Sequence, residues 1–450
     1  MTASSSILDS TPSSLPATRS CTRICAPKKS AVSASLSRCL NGIYLRANAA
    51  QYNGRDIDTL EHDIDSRIVD LMNLIRDCYH GVSMDIAVIT RFFTLDVLST
   101  VAFGKPFGFM AANRDLWDYN KTTSQSMMIL EWSVNHKLFR WLFATPLMQA
   151  LAAPKVTDKT GMGPALAFAR EAVAERYGPS PKVKRDMLGH FVSKGLSQLR
   201  CEAEAYLQII AGSDSTTTVL RSTLFLLVGH PTAYSKLRSE IDTAVRDGRA
   251  SYPVMTYAEA LKLPYLQACI WEGLRMYPPL FGLKAKLAPP GGETVKGIYF
   301  PAGVEVAVCD DAMCRRKDIF GADAHLFRPD RWLDADADTR VKFRQTVDTV
   351  FGSGRFMCLG RHIALMELHK ALAEVSRESL TPVMNNGRAC HFVLTRSPVN
   401  PEFRLGYGGS DERRRPAPSR RPPSVEYESR GMAEDVRSGR ACSSVYRTNE

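Results

Sequence analysis

The chain has 450 residues, 44% of them hydrophobic, enough to bury a large core in one big domain or two smaller ones. Its formal charge of +11 sits mostly at the ends: residues 1–50 carry +5 and residues 411–450 carry +2, leaving +4 for the body. With that distribution, and with no compact basic helix or zinc spacing, a nucleic-acid partner is not supported. Eleven scattered cysteines make no disulfide or zinc framework and fit a reducing compartment.

Residues 1–50 are Ser-rich, basic and almost free of acid. A mitochondrial transit peptide would share that composition, but no amphipathic arginine helix is visible, so the segment reads as a disordered leader. In "DIDSRIVDLMNLIRDC" the residues Ile64, Ile68, Leu71, Leu74 and Ile75 share one helical face. The most apolar run, Ile86 to Phe103, contains Arg91 and Asp96 and reads as a core helix stopped by Gly104 and Pro106. A long helix over 198–228 buries Leu207, Ile210, Leu220, Leu224 and Leu227 and ends at Gly229-His230-Pro231.

Two further helices follow, "TAYSKLRSEIDTAVRDG" and "PYLQACIWEGLRMYPP". The texture then changes. "GGETVKGIYFPAGVEVAVC" is short, β-branched and turn-punctuated, which predicts a small antiparallel sheet. The last strong helix opens just after Cys358. Residues 408–450 are rich in Pro, Ser and Arg without apolar periodicity and read as a disordered tail. The fold class is mainly α with a small β part: a domain over 51–407 between leader and tail.

Within "FGSGRFMCLGRHIALMELHK" (351–370) one cysteine stands in a glycine-bracketed turn at the mouth of a helix. Gly352 and Gly354 let the backbone fold tightly and come close to a flat partner. The N–H groups of Leu359 and Gly360 would point at the sulfur, and the helix end adds about half a positive charge. Both favour thiolate over thiol. Such a thiolate can be a nucleophile, a disulfide former or a metal ligand. A nucleophile wants a base, and His362 lies a turn further on without obvious reach. A redox pair wants a second nearby cysteine, and none is there.

The pattern F-x2-G-x3-C-x-G-x3-A-x2-E, met by Phe351, Gly354, Cys358, Gly360, Ala364 and Glu367, resembles the haem-binding loop of the cytochrome P-450 family. The resemblance implies haem b with Cys358 as the axial iron ligand. Two further motifs and their order agree. "WEGLR" places Glu272 and Arg275 at i, i+3, ordinarily a surface pair worth under about 1 kcal/mol. The family buries this pair and locks it to a later arginine, here Arg331 of "FRPDRW", as a structural cluster behind the cysteine loop.

"AGSDSTTT" (211–218), inside the long helix, would otherwise be a hydroxyl-rich soft spot. It resembles the family's A-G-x-D-T-T, which in that family crosses the distal face of the haem. By resemblance Gly212 opens room for dioxygen, Asp214 relays protons, and Ser215 and Thr216 supply hydroxyls. Ser215 stands where threonine is usual. The resemblance covers roughly residues 50–405, and "AFGKPFGFM", "IAGSDSTTT" and "CLGRHIALMEL" look most like fungal enzymes of secondary metabolism of the pisatin-demethylase type.

The sequence departs from that pattern in places. Phe356 stands two before the cysteine, where an arginine usually pairs with a haem propionate, and Arg355 precedes it. Lys286 falls where an arginine often aims at a propionate, offering a point charge and not a fork. No membrane anchor, proline-rich hinge, first sheet or W-x3-R segment is found before the helix at 86–103. Trp117-x3-Lys121 resembles the last of these but comes too late in order.

The resemblance implies a haem-thiolate monooxygenase that inserts one oxygen atom of dioxygen into an apolar small molecule. Its electrons would come from an NADPH-dependent reductase docking behind the cysteine on Arg315, Arg316, Lys317, Arg361 and Lys370. The hard chemistry belongs to the haem. Two alternatives stay open: a degenerate haem-binding protein without turnover, and an isomerase or dehydratase on the same scaffold, against which the Asp214/Ser215 relay argues. Relatives sit on the cytosolic side of the endoplasmic reticulum. Without an anchor this chain would be soluble or peripheral there, with mitochondria the minor alternative.

Overall fold

The computed structural model describes residues 57–395 apart from 144, 146, 149–153, 281–284, 378 and 386–388. The leader and tail read from the sequence, and the boundaries at 50 and 407, lie outside the described residues. The main helices are α1 (Leu60–Tyr79), α2 (Ile86–Phe103), α3 (Tyr119–Asn135), α4 (Met162–Tyr177), α5 (Gln198–Gly212), α6 (Asp214–Gly229), α7 (Pro231–Arg246), α8 (Pro264–Met276), α9 (Ala337–Asp348) and α10 (Arg361–Arg377). Strands are short: β1 (Ser83–Asp85), β2 (Lys286–Leu287), β3 (Glu293–Val295), β4 (Ile298–Phe300), β5 (Glu305–Val306), β6 (Ser379–Asn385) and β7 (Ala389–Thr395). The mainly helical reading holds.

Local chemistry sets the helix ends. Asp85 caps α2, its Oδ1 accepting from Ala87 N at 2.9 Å, and Gly104 closes it in the left-handed region at φ +72°. Pro231 and Pro264 open α7 and α8, where a missing N–H costs nothing. Glu240 takes the next two orphan donors of α8, Tyr265 N and Leu266 N, each at 2.9 Å. The predicted apolar face of α1 is buried as read, from Ile64 through Ile75.

Helix α2 is buried on nearly all sides, so its apolar run is core. Asp96 survives there because three backbone N–H groups, from Gly108, Phe109 and Met110, converge on it at 2.8–3.1 Å. The carboxylate thereby ties the turn after Pro106 to the helix. The helix expected over 198–228 is two, separated at Ser213. Central α6 packs against α2, α8 and α10, and α10 in turn meets α1, α7 and α8.

The β segments form three antiparallel pieces. β3 pairs with β4 and β2 with β5, where the turn-rich stretch predicted a small sheet. A third sheet, ordered β1-β7-β6, sets Ser83 opposite Val393 and Ser379 opposite Thr395. Its strands were not foreseen, because β1 is three residues long and all its partners lie some 300 positions away.

From Leu365 to Ser376 every residue of α10 is buried, polar ones included. Lys370 is fully enclosed, its Nζ 2.5 Å from Glu61 and 2.6 Å from Asp65 of α1. It therefore does not join an exposed docking patch; it pins α10 to α1. Cys201, Cys269, Cys309, Cys314 and Cys358 are not in disulfides, while Cys78 is disulfide-bonded, an exception to the all-reduced expectation.

Glu367 is also buried, and its Oε1 has no hydrogen-bond partner among the described residues. Burial pushes its carboxyl well above the ordinary 4.5. The folded state thus holds this proton more tightly than the unfolded one. Stability is full below pH 4.5 and falls as pH climbs toward the raised folded value. Glu367→Gln should match the parent's melting temperature in mild acid and exceed it at alkaline pH; parallel curves for the two proteins would contradict this.

Candidate active site

The loop bearing Cys358 is built from two one-turn 3-10 segments, Thr349–Phe351 and Gly354–Phe356, joined through glycine. Gly352 has φ +77°, and a Cβ there would lie 2.4 Å from the Phe356 carbonyl oxygen, so no other residue fits. The turn returns Cys358 N to within 2.6 Å of Phe351 O. Phe351 packs half-buried on the core, and the Arg361 guanidinium lies 5.4 Å from its ring. Arg361 also reaches Asp348 at 2.7 Å, joining the end of α9 to the start of α10 and so bracketing the loop.

Cys358 is exposed at the start of α10, flanked by Phe356 and Met357, which are 40% and 49% exposed. Added Cβ atoms at Gly354 or Gly360 would meet nothing within 4 Å. A lone sulfur donor on a rigid turn, with apolar side chains beside it and open space above two glycines, suits a flat, apolar, metal-centred ligand. Lys286 of β2 sets its Nζ 3.8 Å over the Phe356 ring, placing a cation at the edge of this platform. The residues present fit haem. The side chain of Arg355 lies outside the described residues. His362 packs edge-on against Tyr257, with ring centroids 5.7 Å apart.

Behind the loop stands a closed polar cluster. Glu272 is fully buried and receives Arg275 Nη2 at 2.8 Å and Nε at 2.9 Å, a two-pronged pair. It also accepts Arg331 Nε at 3.0 Å, Trp332 Nε1 at 3.0 Å and Arg328 N at 2.8 Å. The guanidinium of Arg275 spends its remaining donors on the carbonyls of Cys314, Ala324 and Leu326. Arg331 does the same with Phe320, Asp323 and Leu326. Every charge is paired and every fork is filled, as burial demands.

The cluster reaches the thiol through packing. Trp332 meets Phe343 of α9 edge-on at 5.7 Å, Phe320 stacks on the same ring at 4.8 Å, and α9 runs directly into the loop. The predicted trio of Glu272, Arg275 and Arg331 is therefore together. The indole of Trp332 and the backbone of Arg328 were missed, although "FRPDRW" holds both.

On α5 and α6, Ala211 is exposed and Ser215 half-buried, in helices otherwise largely enclosed. The Ser215 hydroxyl donates to Ala211 O at 3.1 Å, one turn back. Gly212 faces elsewhere: a Cβ would come 2.8 Å from Leu98 Cδ1 of α2. Its small size lets α5 approach α2. Thr216 is buried, 4% exposed, so it does not share the open Ala211/Ser215 face. Thr217, next along, bonds Thr94 Oγ1 at 2.6 Å.

Asp214 pairs with Arg91 of α2 at 2.9 Å, and Arg91 also reaches Ser124 Oγ at 3.3 Å. Nearby Tyr119 has its phenol pushed up to about 12, by burial first and then by the Asp214 charge. A lone arginine on a buried helix needs a carboxylate, and that was the signal by which Arg91 could have been found. Trp117, considered for a propionate contact, instead packs edge-on against Phe107 and Phe109.

A mainly helical fold presenting, among the described residues, one exposed cysteine on a glycine turn, braced by a buried Glu–Arg–Arg cluster, is the arrangement of a haem-thiolate class of protein. The cytochrome P450 family profile matches residues 50–378. Cytochrome P450 monooxygenase ABA1 of Pyricularia oryzae is 40% identical over 346 residues, covering 74% of this chain and 67% of that protein. Cytochrome P450 monooxygenase aba1 of Botryotinia fuckeliana is 36% identical over 350 residues, 76% of this chain and 68% of that one. The crystal structure of a cytochrome P450DA haem domain superposes with TM-score 0.62 at 20% identity, over 79% of this chain and 77% of that one, a likeness of fold.

The chain belongs to the cytochrome P450 family, whose members carry haem on a cysteine thiolate and use reductase partners. It is a monooxygenase of the type found in fungal secondary metabolism. Changing Glu272→Gln would aim an amide donor at two buried guanidinium groups and remove the charge that neutralises them. Urea unfolding should show a loss of about 3–5 kcal/mol; a change below about 1 kcal/mol would mean that the cluster is not the brace described.

Proposed function

We propose that Cys358 is the axial ligand of haem b and that the chain inserts one oxygen atom of dioxygen into a largely apolar small molecule. The observation carrying this is the exposed thiol at the mouth of α10, on a turn that only glycine at 352 allows, beside an open apolar platform. When bound, haem supplies dioxygen binding and activation. The chain's own residues hold the sulfur, present hydroxyl and carboxylate groups on the opposite helix, and line the approach. Exposed Leu280, Val304 and Val308 lie in the β segment and short neighbouring stretches and favour an apolar substrate.

Proton delivery falls to Asp214 and Ser215. Asp214 is held by Arg91, so its carboxylate must swing from that partner to pass a proton inward. Ser215 already spends its proton on the Ala211 carbonyl and has no methyl to fix its rotamer. Thr216, enclosed as it is, stays a supporting residue.

For electrons, an NADPH-dependent reductase would dock around the exposed Lys317 and the exposed Arg316, which pairs with Asp318. Arg315 and Arg361 are half-buried and paired with Asp311 and Asp348, which leaves the basic patch smaller than the sequence suggests. Many members of the family associate with the endoplasmic reticulum. We place this chain on the cytosolic side of that membrane, attached peripherally or soluble.

Two measurements test the reading. The reduced protein under carbon monoxide should show the strongly red-shifted Soret band of thiolate-ligated haem, and Cys358→Ser should abolish it; a band that survives the substitution would remove Cys358 as ligand. With reductase and NADPH, Ser215→Thr should lower the peroxide formed per NADPH consumed. An unchanged yield would show that Ser215 does not limit proton delivery.

A further inference from the structure

Arg91 holds Asp214 at a single point. Its Nη2 lies 2.9 Å from Asp214 Oδ1, yet the two do not align as a hydrogen bond. Asp214 Oδ1 and Arg91 Nε are both buried without a hydrogen-bond partner among the described residues. The other contacts of this guanidinium are long, to Asn120 O at 3.5 Å and Ser124 Oγ at 3.3 Å. Nothing here resembles the two-pronged fork that locks Glu272.

Arg221 follows Asp214 by seven residues, two turns along α6, so both stand on one face with Thr218 between them. Long side chains in a helix lean toward its N-terminus, which is the direction of Asp214. Arg221 is half-buried and makes no hydrogen bond or ion pair with any described residue. Burial lowers its pKa, as does the charge of Arg91, while Asp214 and Asp85 act the other way. Asp85 is already spent on capping α2. Among the described residues, the charged and titratable groups facing this spot are Asp85 and Arg91 of α2, Tyr119 at the start of α3, and Asp214 beside Arg221 itself.

A half-buried guanidinium without an acceptor is costly to keep. Here it stands ready as a second partner for a carboxylate that its first partner grips loosely. We propose that Arg221 is a positioning residue for proton delivery, receiving the Asp214 carboxylate when that side chain leaves Arg91. The acid then moves between two cations and is never stranded. Both guanidinium groups keep their protons throughout; only Asp214 takes a proton up and gives it on.

This inference rests on the reading of Asp214 as the proton relay, and two measurements on the haem-loaded protein test it. Arg91→Met and Arg221→Met should each lower the melting temperature by under about 2 °C. The double variant should lose well over the sum, because either arginine serves the carboxylate when the other is gone. In an Asp214→Asn background that excess should vanish. An excess that persists there comes from repulsion between the arginines or from Asp85, and overturns the inference. With reductase and NADPH, Arg221→Met should raise the peroxide formed per NADPH roughly two- to fivefold and enlarge the solvent isotope effect on NADPH consumption. Arg221→Lys, which keeps the charge, should restore the parent's values.

A parental peroxide yield in Arg221→Met, or melting shifts that simply add, would show that the positioning role is wrong. Should Arg221→Met fail to fold, Arg221→Gln must show the same changes, and parental behaviour there overturns the idea equally. If Asp214→Asn itself leaves the peroxide yield unchanged, Asp214 relays no proton, and the relay reading falls together with this inference. More peroxide from Asp214→Asn but none extra from Arg221→Met defeats this inference alone.

Discussion

A carboxylate with no access to water governs this molecule. Glu272 takes five donors from α8 and from the segment that follows the small sheets, and the two arginines bound to it close their remaining valences on backbone carbonyls. An ion cluster of this kind gains little over a well-packed apolar core, but removing one member leaves charge stranded in low dielectric. Its value lies in geometry. Charge-assisted forks tolerate few arrangements, so the irregular chain between residues 314 and 334 is held in one of them. Trp332 and Phe320 transmit that order to α9, and α9 delivers the cysteine loop.

On the other side of the loop, α10 is enclosed for three turns and bears charged groups that its position obliges to find partners. Lys370 finds two carboxylates of α1, and Glu374 takes Arg377 and the Met255 N–H. Glu367 is left to keep its proton. The thiol itself stays exposed between these two braces. Rigidity behind and openness in front are what a metal ligand for a flat cofactor requires, because the donor atom must not shift when the cofactor binds.

Much of this was readable in advance. The helical repeats of α1, α2, α7 and α8, the glycine turn before Cys358 and the Glu–x2–Arg pair are local patterns, and local patterns survive in a linear chain. Errors arose where a residue's partner lay far away. Lys370 looked like surface charge because nothing in its own helix announces Glu61, some 300 residues earlier. The approach of Leu98 from α2 to Gly212 was likewise invisible in the linear chain. Asp214 was placed correctly on its helix, but its Arg91 partner belongs to an element more than 100 positions upstream. The sheet that unites β1 with β6 and β7 escaped notice for the same reason.

The order of amino acids determined most of the helices and the glycine turn that carries the cysteine, since propensity, periodicity and turn chemistry act between near neighbours. Which charges are buried, which glycine serves packing and which cation stands over the loop were decided only when distant helices met. Those outcomes depend on desolvation and contact, and both are properties of the packed chain. The lysine resting on Phe356 shows the difference: seventy residues separate the two, and only the folded backbone makes them neighbours.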